Sequence, residues 1–210
     1  MIAANAYLKK PSNFAIIKLM STQKAQVGLP EEVVFSGKIG EVIHTAQPDG
    51  RVFEHYRRPP GIRLVIVSPD GKILVTKEHR HETNGIDLRL PGGKVCDSLK
   101  EYHALLSGGQ DIIEAAKTAA VKEALEETGL IIENPRLLVK ANAGATVEWD
   151  LYYFLVDSYT ESPTGQELEA GEDIKVTWLA ADELRQAIGN GEMQEWRSAG
   201  VLLAKVLPKL

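Results

Sequence analysis

One stretch, Lys122-Glu123-Ala124-Leu125-Glu126-Glu127-Thr128-Gly129-Leu130, constrains this chain more than any other. Its carboxylates fall at i, i+3 and i+4, positions that share one face of a helix. Gathered negative charge repels itself unless a cation sits among it, and hard oxygen donors suit Mg²⁺ or Mn²⁺. A glycine such as Gly129 commonly closes a helix. The bland alternative is a solvated glutamate-rich surface, so the neighbouring sequence has to decide.

Asp111 is a good N-cap for a helix running to Thr128. Ile112, Ile113, Ala116, Ala119, Ala120 and Leu125 can supply its core-facing side. Upstream, Ile86-Asp87-Leu88-Arg89-Leu90 alternates as a strand and delivers the chain into a turn-forming loop, Leu90-Pro91-Gly92-Gly93-Lys94-Val95. Glu114 stands eight residues before Lys122.

Together these residues resemble the Nudix box, Gly-x5-Glu-x7-Arg-Glu-U-x-Glu-Glu-x-Gly-U with U apolar. Glu114, Glu123, Glu126, Glu127, Gly129 and Leu130 match it, and Lys122 replaces the box arginine. A lysine keeps the charge of arginine but not its planar fork. In the family the box glycine is the second of the loop, here Gly93, whereas counting back from Glu114 lands on Gly108. Residues 96–110 therefore read as an insertion, with a short helix at 98–106.

The resemblance covers residues 62–188 and implies an α/β fold: a mixed sheet sandwiched between helices. Residues 1–58 read as a small antiparallel β-rich unit ahead of a main domain at 59–210. Strands are expected at 33–37, 40–44 and 51–56, with Pro48-Asp49-Gly50 as a turn. A short apolar run stands at 14–20. Residues 62–67 and 72–77, joined by Ser68-Pro69-Asp70-Gly71, read as a hairpin. Further strands are expected at 136–140, 148–156 and 174–179. Helices are expected at 182–188 and 193–206, and a polar acidic loop at 157–171.

The β-rich unit resembles the N-terminal part of the ADP-ribose pyrophosphatase branch, which implies a homodimer. The resemblance implies hydrolysis of a diphosphate linkage in a nucleoside diphosphate derivative, with Mg²⁺ or Mn²⁺ as cofactor. Glu123 and Glu127 are the implied main ligands, Glu126 shares a second metal and Gly92 contributes its carbonyl. Gly93 and Arg80 lie beside the substrate, Glu114 supports the cluster, and Lys122 orients a glutamate. The general base in that branch comes from an acidic loop before a late strand. Glu172 is favoured here, then Glu169, over Glu167 and Asp173. His79 and His81 read as solvated loop residues. Tyr56, Trp149, Tyr152 and Trp178 offer stacking surfaces for a base, or core.

The branch carries Pro-Gly some fifteen residues after the box. This chain has Asn142-Ala143-Gly144-Ala145, which leaves a nucleotide sugar as open as ADP-ribose. A triphosphate-sanitising pyrophosphohydrolase and a non-catalytic nucleotide-binding module are the competing functions. An isopentenyl diphosphate isomerase would need a cysteine before the box, and Cys96 follows the glycine loop. A net charge of −5 argues against a nucleic-acid partner. No apolar run is long enough to span a membrane, residues 1–20 carry no signal-like block, and one cysteine fits a reducing cytoplasm.

Overall fold

The computed structural model describes residues 29–80 and 85–210. The apolar run at 14–20 and His81 lie outside the described residues. Strands β1 (Glu31–Ser36), β2 (Glu41–Ala46) and β3 (Val52–Arg57) come first. Strands β4 (Gly61–Ile66), β5 (Ile73–Arg80) and β6 (Gly85–Arg89) lead into helices α1 (Leu99–Ser107) and α2 (Ile112–Thr128). Then follow β7 (Leu130–Ile132), β8 (Arg136–Ala141), β9 (Val147–Glu148), β10 (Leu151–Val156), β11 (Tyr159–Glu161) and β12 (Ile174–Leu179). Helices α3 (Ala181–Gly189) and α4 (Trp196–Val201) come last, and α4 runs into a π-helical turn at Leu202–Val206.

Strand β10 lies between β4, which it meets in parallel, and antiparallel β8. Every residue of β4 and β10 is buried. Alternation sends Ile62, Leu64, Ile66, Tyr152, Phe154 and Val156 into one core with Ala116, Ala120 and Ala124 of α2. It sends Val65, Leu151, Tyr153 and Leu155 into a second core with Leu184 of α3 and Ala199 of α4. Helices thus cover both faces, as strands buried on both sides require. Alanine on the buried side of α2 brings its axis close to the sheet. Ala124 occupies a core position there, while Leu125, expected to, is half-buried.

The expected hairpin at 62–77 does not form. Its turn does: Gly71 N–H donates to Ser68 O at 2.9 Å. Beyond one bridge, Val67 to Ile73, the strands part. Strand β5 sits between β12 and β6 in another antiparallel sheet. The free edge of β4 is taken instead by the glycine loop: Leu64 N–H donates to Pro91 O (2.8 Å) and Ile62 N–H to Gly93 O (2.9 Å). Backbone donors at a buried edge must be satisfied, and the loop satisfies them. The acidic loop at 157–171 also carries a strand, β11, paired with β7.

Strands β1, β2 and β3 form the antiparallel N-terminal sheet, extended by parallel β9. Leu99 N–H at the start of α1 donates to Lys38 O in the turn between β1 and β2 (3.1 Å). Among the described residues, no helix is long and apolar enough to cross a membrane.

Ala120 is fully buried against β4 and β10. Ala120→Leu should overpack this seam and cost about 1–3 kcal/mol in urea unfolding, whereas Ala→Leu on a solvated helix face would be near neutral.

Candidate active site

Helix α2 is framed at both ends. Asp111 accepts the N–H of Ile113 at 2.8 Å, and Gly129 closes the helix in the left-handed conformation at φ 69°. The glycine loop lies along β4 and meets the C-terminal half of this helix. Gly92 has φ 149°, and a Cβ there would strike the Ile62 carbonyl. Gly93 has no room for a Cβ either, because the Glu123 carboxylate occupies that space. The Gly92 N–H donates to Glu127 Oε2 at 2.6 Å, and the Lys94 backbone favours the charged form of Glu123. Two missing side chains therefore let the carboxylates touch the backbone of the loop.

Glu127 is 7 % exposed. Burial pushes its carboxyl up to about 8, although the Gly92 N–H opposes the rise. Burial also raises Glu123, opposed by Lys122. Lys122 Nζ lies 2.8 Å from Glu126 Oε2. A buried carboxylate with too little compensating charge is the condition that a divalent cation relieves, so the donor set fits one. No trio of acidic, histidine or cysteine side chains among the described residues forms a preformed cation cage.

These groups line a cleft of about 1090 Å³. Arg80, Arg89, Lys94 and Lys122 bring positive charge to it. Arg80 stands 3.8 Å from Glu78 and is 39 % exposed, while Arg89 is held by Asp87 at 3.2 Å. Glu114 lines the same cleft, paired with Lys117 at 2.6 Å. It stands roughly 13 Å along the helix axis from Glu123. Gly108 caps α1, away from the glycine loop.

Glu169 and Glu172 line the cleft opposite α2, and the Glu169 N–H donates to Glu172 Oε2 at 3.0 Å. Asp173 lines it too, whereas Glu167 accepts from Thr164 at 3.0 Å. Gln166 fastens this loop: its amide donates to Glu127 O (2.5 Å) and Ile174 O (3.2 Å). Gln166 was not singled out from sequence, and a glutamine in a polar loop carries no local signal that would single it out.

The aromatic candidates divide. Tyr152 is core, and Trp178 stacks on Tyr159 at 5.8 Å. Trp149 lies between the guanidinium groups of Arg58 and Arg197, 4.4 and 4.2 Å from its ring. The half-buried Tyr56 is packed under Gly40. None of the four lines the cleft.

A family model described as the NUDIX domain matches residues 57–198. An uncharacterized Nudix hydrolase, YvcI, of Bacillus subtilis (strain 168) is 28% identical over 96 residues, covering 41% of this chain. The match spans 58% of that relative's length. A solved structure described as an ADP compounds hydrolase superposes with a TM-score of 0.59 at 17% identity, covering 86% of this chain and 90% of its own.

The two glycines should fail differently. In Gly93→Ala the obstacle is the mobile end of Glu123, so the melting temperature should stay close to wild type while divalent-cation affinity falls roughly tenfold. In Gly92→Ala the obstacle is backbone and the φ is adverse, so thermal stability should drop by about 1–3 kcal/mol or more. Circular dichroism melts and a Mn²⁺ titration check both.

Proposed function

The chain belongs to the Nudix family, and from that premise we propose that it is a divalent-metal-dependent hydrolase of the diphosphate linkage in a nucleoside diphosphate derivative. One observation carries the reading: Glu127 is buried and Glu123 half-buried against a glycine loop that leaves them under-neutralised beside a cleft with basic side chains. ADP-linked diphosphates are the first substrates to test, since the fold neighbour is described as an ADP compounds hydrolase. Nucleotide sugars come next.

Glu123 and Glu127 would hold the cation, with Glu126 joining them from its contact with Lys122 and the Gly92 carbonyl adding an oxygen. A divalent cation held there offsets phosphate charge and activates water. Gly93, without a Cβ, lets the Glu123 carboxylate lie against the loop beside the diphosphate, and Arg80 in the cleft wall would pair with the phosphate oxygens. Glu172, or Glu169 beside it, takes the proton from the attacking water. The water oxygen bonds to phosphorus, the anhydride P–O bond breaks, and two phosphomonoesters leave. Glu114, paired with Lys117 further along α2, lines the same cleft.

We further propose a homodimer built through the N-terminal sheet. Edge strand β1 is exposed along its whole length, and Val33, Phe35, Val52 and Phe53 are exposed on this sheet. Apolar edges left open to solvent invite pairing. The single Cys96, buried, fits a reducing cytoplasm.

A panel of ADP-ribose, GDP-mannose, UDP-glucose, dinucleoside polyphosphates and nucleoside triphosphates should show hydrolysis of a diphosphate-linked compound that EDTA abolishes. Glu172→Gln or Glu169→Gln should lower turnover by about tenfold or more, and the loop-base assignment fails if neither does. Sedimentation equilibrium should give the dimer mass for wild type and the monomer mass for Phe35→Glu.

A further inference from the structure

We propose that the buried Arg63–Glu195 pair is a positioning device: it pins the Ile62 peptide against the glycine loop and so sets how tightly Glu127 can hold a divalent cation. This rests on the metal-dependent reading above.

Arg63 lies in β4 and is 5 % exposed. Its Nε and Nη2 fork onto Glu195 at 2.8 and 3.1 Å, and its Nη1 donates to Ile62 O at 2.8 Å. Glu195, just before α4, is fixed in turn by the Ser198 hydroxyl at 2.6 Å, which contacts Tyr153 OH at 3.1 Å.

The Ile62 peptide touches both glycines. Its N–H donates to Gly93 O at 2.9 Å. Its carbonyl, held by Arg63, is the atom that a Cβ on Gly92 would strike. The Gly92 N–H then holds Glu127 at 2.6 Å. The path from Glu195 to Glu127 therefore runs through hydrogen bonds at Arg63, at Ile62 and at Gly92, with the glycine loop held to Ile62 by the Gly93 carbonyl.

Stability alone does not account for such a pair. Desolvating two charges offsets most of their attraction, and apolar residues of similar volume often serve as well. What apolar residues do not supply is three directed donors, two on a carboxylate and one on a chosen carbonyl.

The test is Mn²⁺ binding to the full chain, read by water-proton relaxation, in wild type, Arg63→Lys, Glu195→Gln and the double variant Arg63→Met/Glu195→Met. Lysine keeps the charge without the fork, glutamine keeps the shape without the charge, and the double variant removes both charges at once, leaving Ile62 O and the Ser198 hydroxyl without these partners. All three should bind Mn²⁺ roughly tenfold more weakly or worse, even where the melting temperature is close to wild type. The half-saturating metal concentration for hydrolysis should rise by the same factor, with kcat less affected. Affinity within about twofold of wild type in Arg63→Lys and Glu195→Gln overturns the proposal, as does affinity that recovers together with stability in the double variant. Glu123→Gln is the control for the underlying reading: if it binds Mn²⁺ as wild type does, the metal assignment itself falls.

Discussion

A carboxylate held out of water beside a backbone amide is the interaction on which the rest of this structure depends. Glu127 is buried, and its Gly92 N–H partner is a single neutral donor. Placing a charge there is unfavourable unless compensation arrives from outside. The surrounding structure supplies what makes the placement possible: an alanine seam that draws α2 onto the sheet, a β4 edge that takes up the loop, and two glycines without Cβ atoms. On the proposed reading, the remaining charge compensation comes from the occupant of the cleft.

The parts of the molecule legible in the sequence are those governed by short-range chemistry. Asp111, Gly129 and the carboxylate spacing define α2 and its acidic face, and the helix runs between those caps. Ser98 likewise caps α1. The turn at Ser68-Pro69-Asp70-Gly71 forms as its residues dictate. Where the chain goes after that turn is not local information. Two apolar strands joined by a good turn suit a hairpin, yet each finds a longer ladder elsewhere, β4 with β10 and β5 with β12.

Long-range polar contacts were illegible for the same reason. Arg63 and Glu195 are 132 positions apart, and neither sits in a recognisable motif. Gln166 reaches Glu127 O across 39 positions. A glutamine or arginine has several donors and many possible acceptors, so its partner is decided only once the backbone is placed. The aromatic residues illustrate the converse: Trp149 is defined by the two guanidinium groups that flank it, from residues 58 and 197.

The segment carrying α1 leaves the glycine loop just after Val95, whose N–H donates to Pro60 O at 3.0 Å, and rejoins the fold at the Asp111 cap. Both ends are anchored by the main body, and none of Glu123, Glu126 and Glu127 lies between them. Asp97, Glu101 and Gln110 nevertheless form part of one wall of the cleft. The segment thus furnishes cleft wall from a separate stretch of chain, braced on its far side by the Leu99–Lys38 and His103–Glu41 contacts.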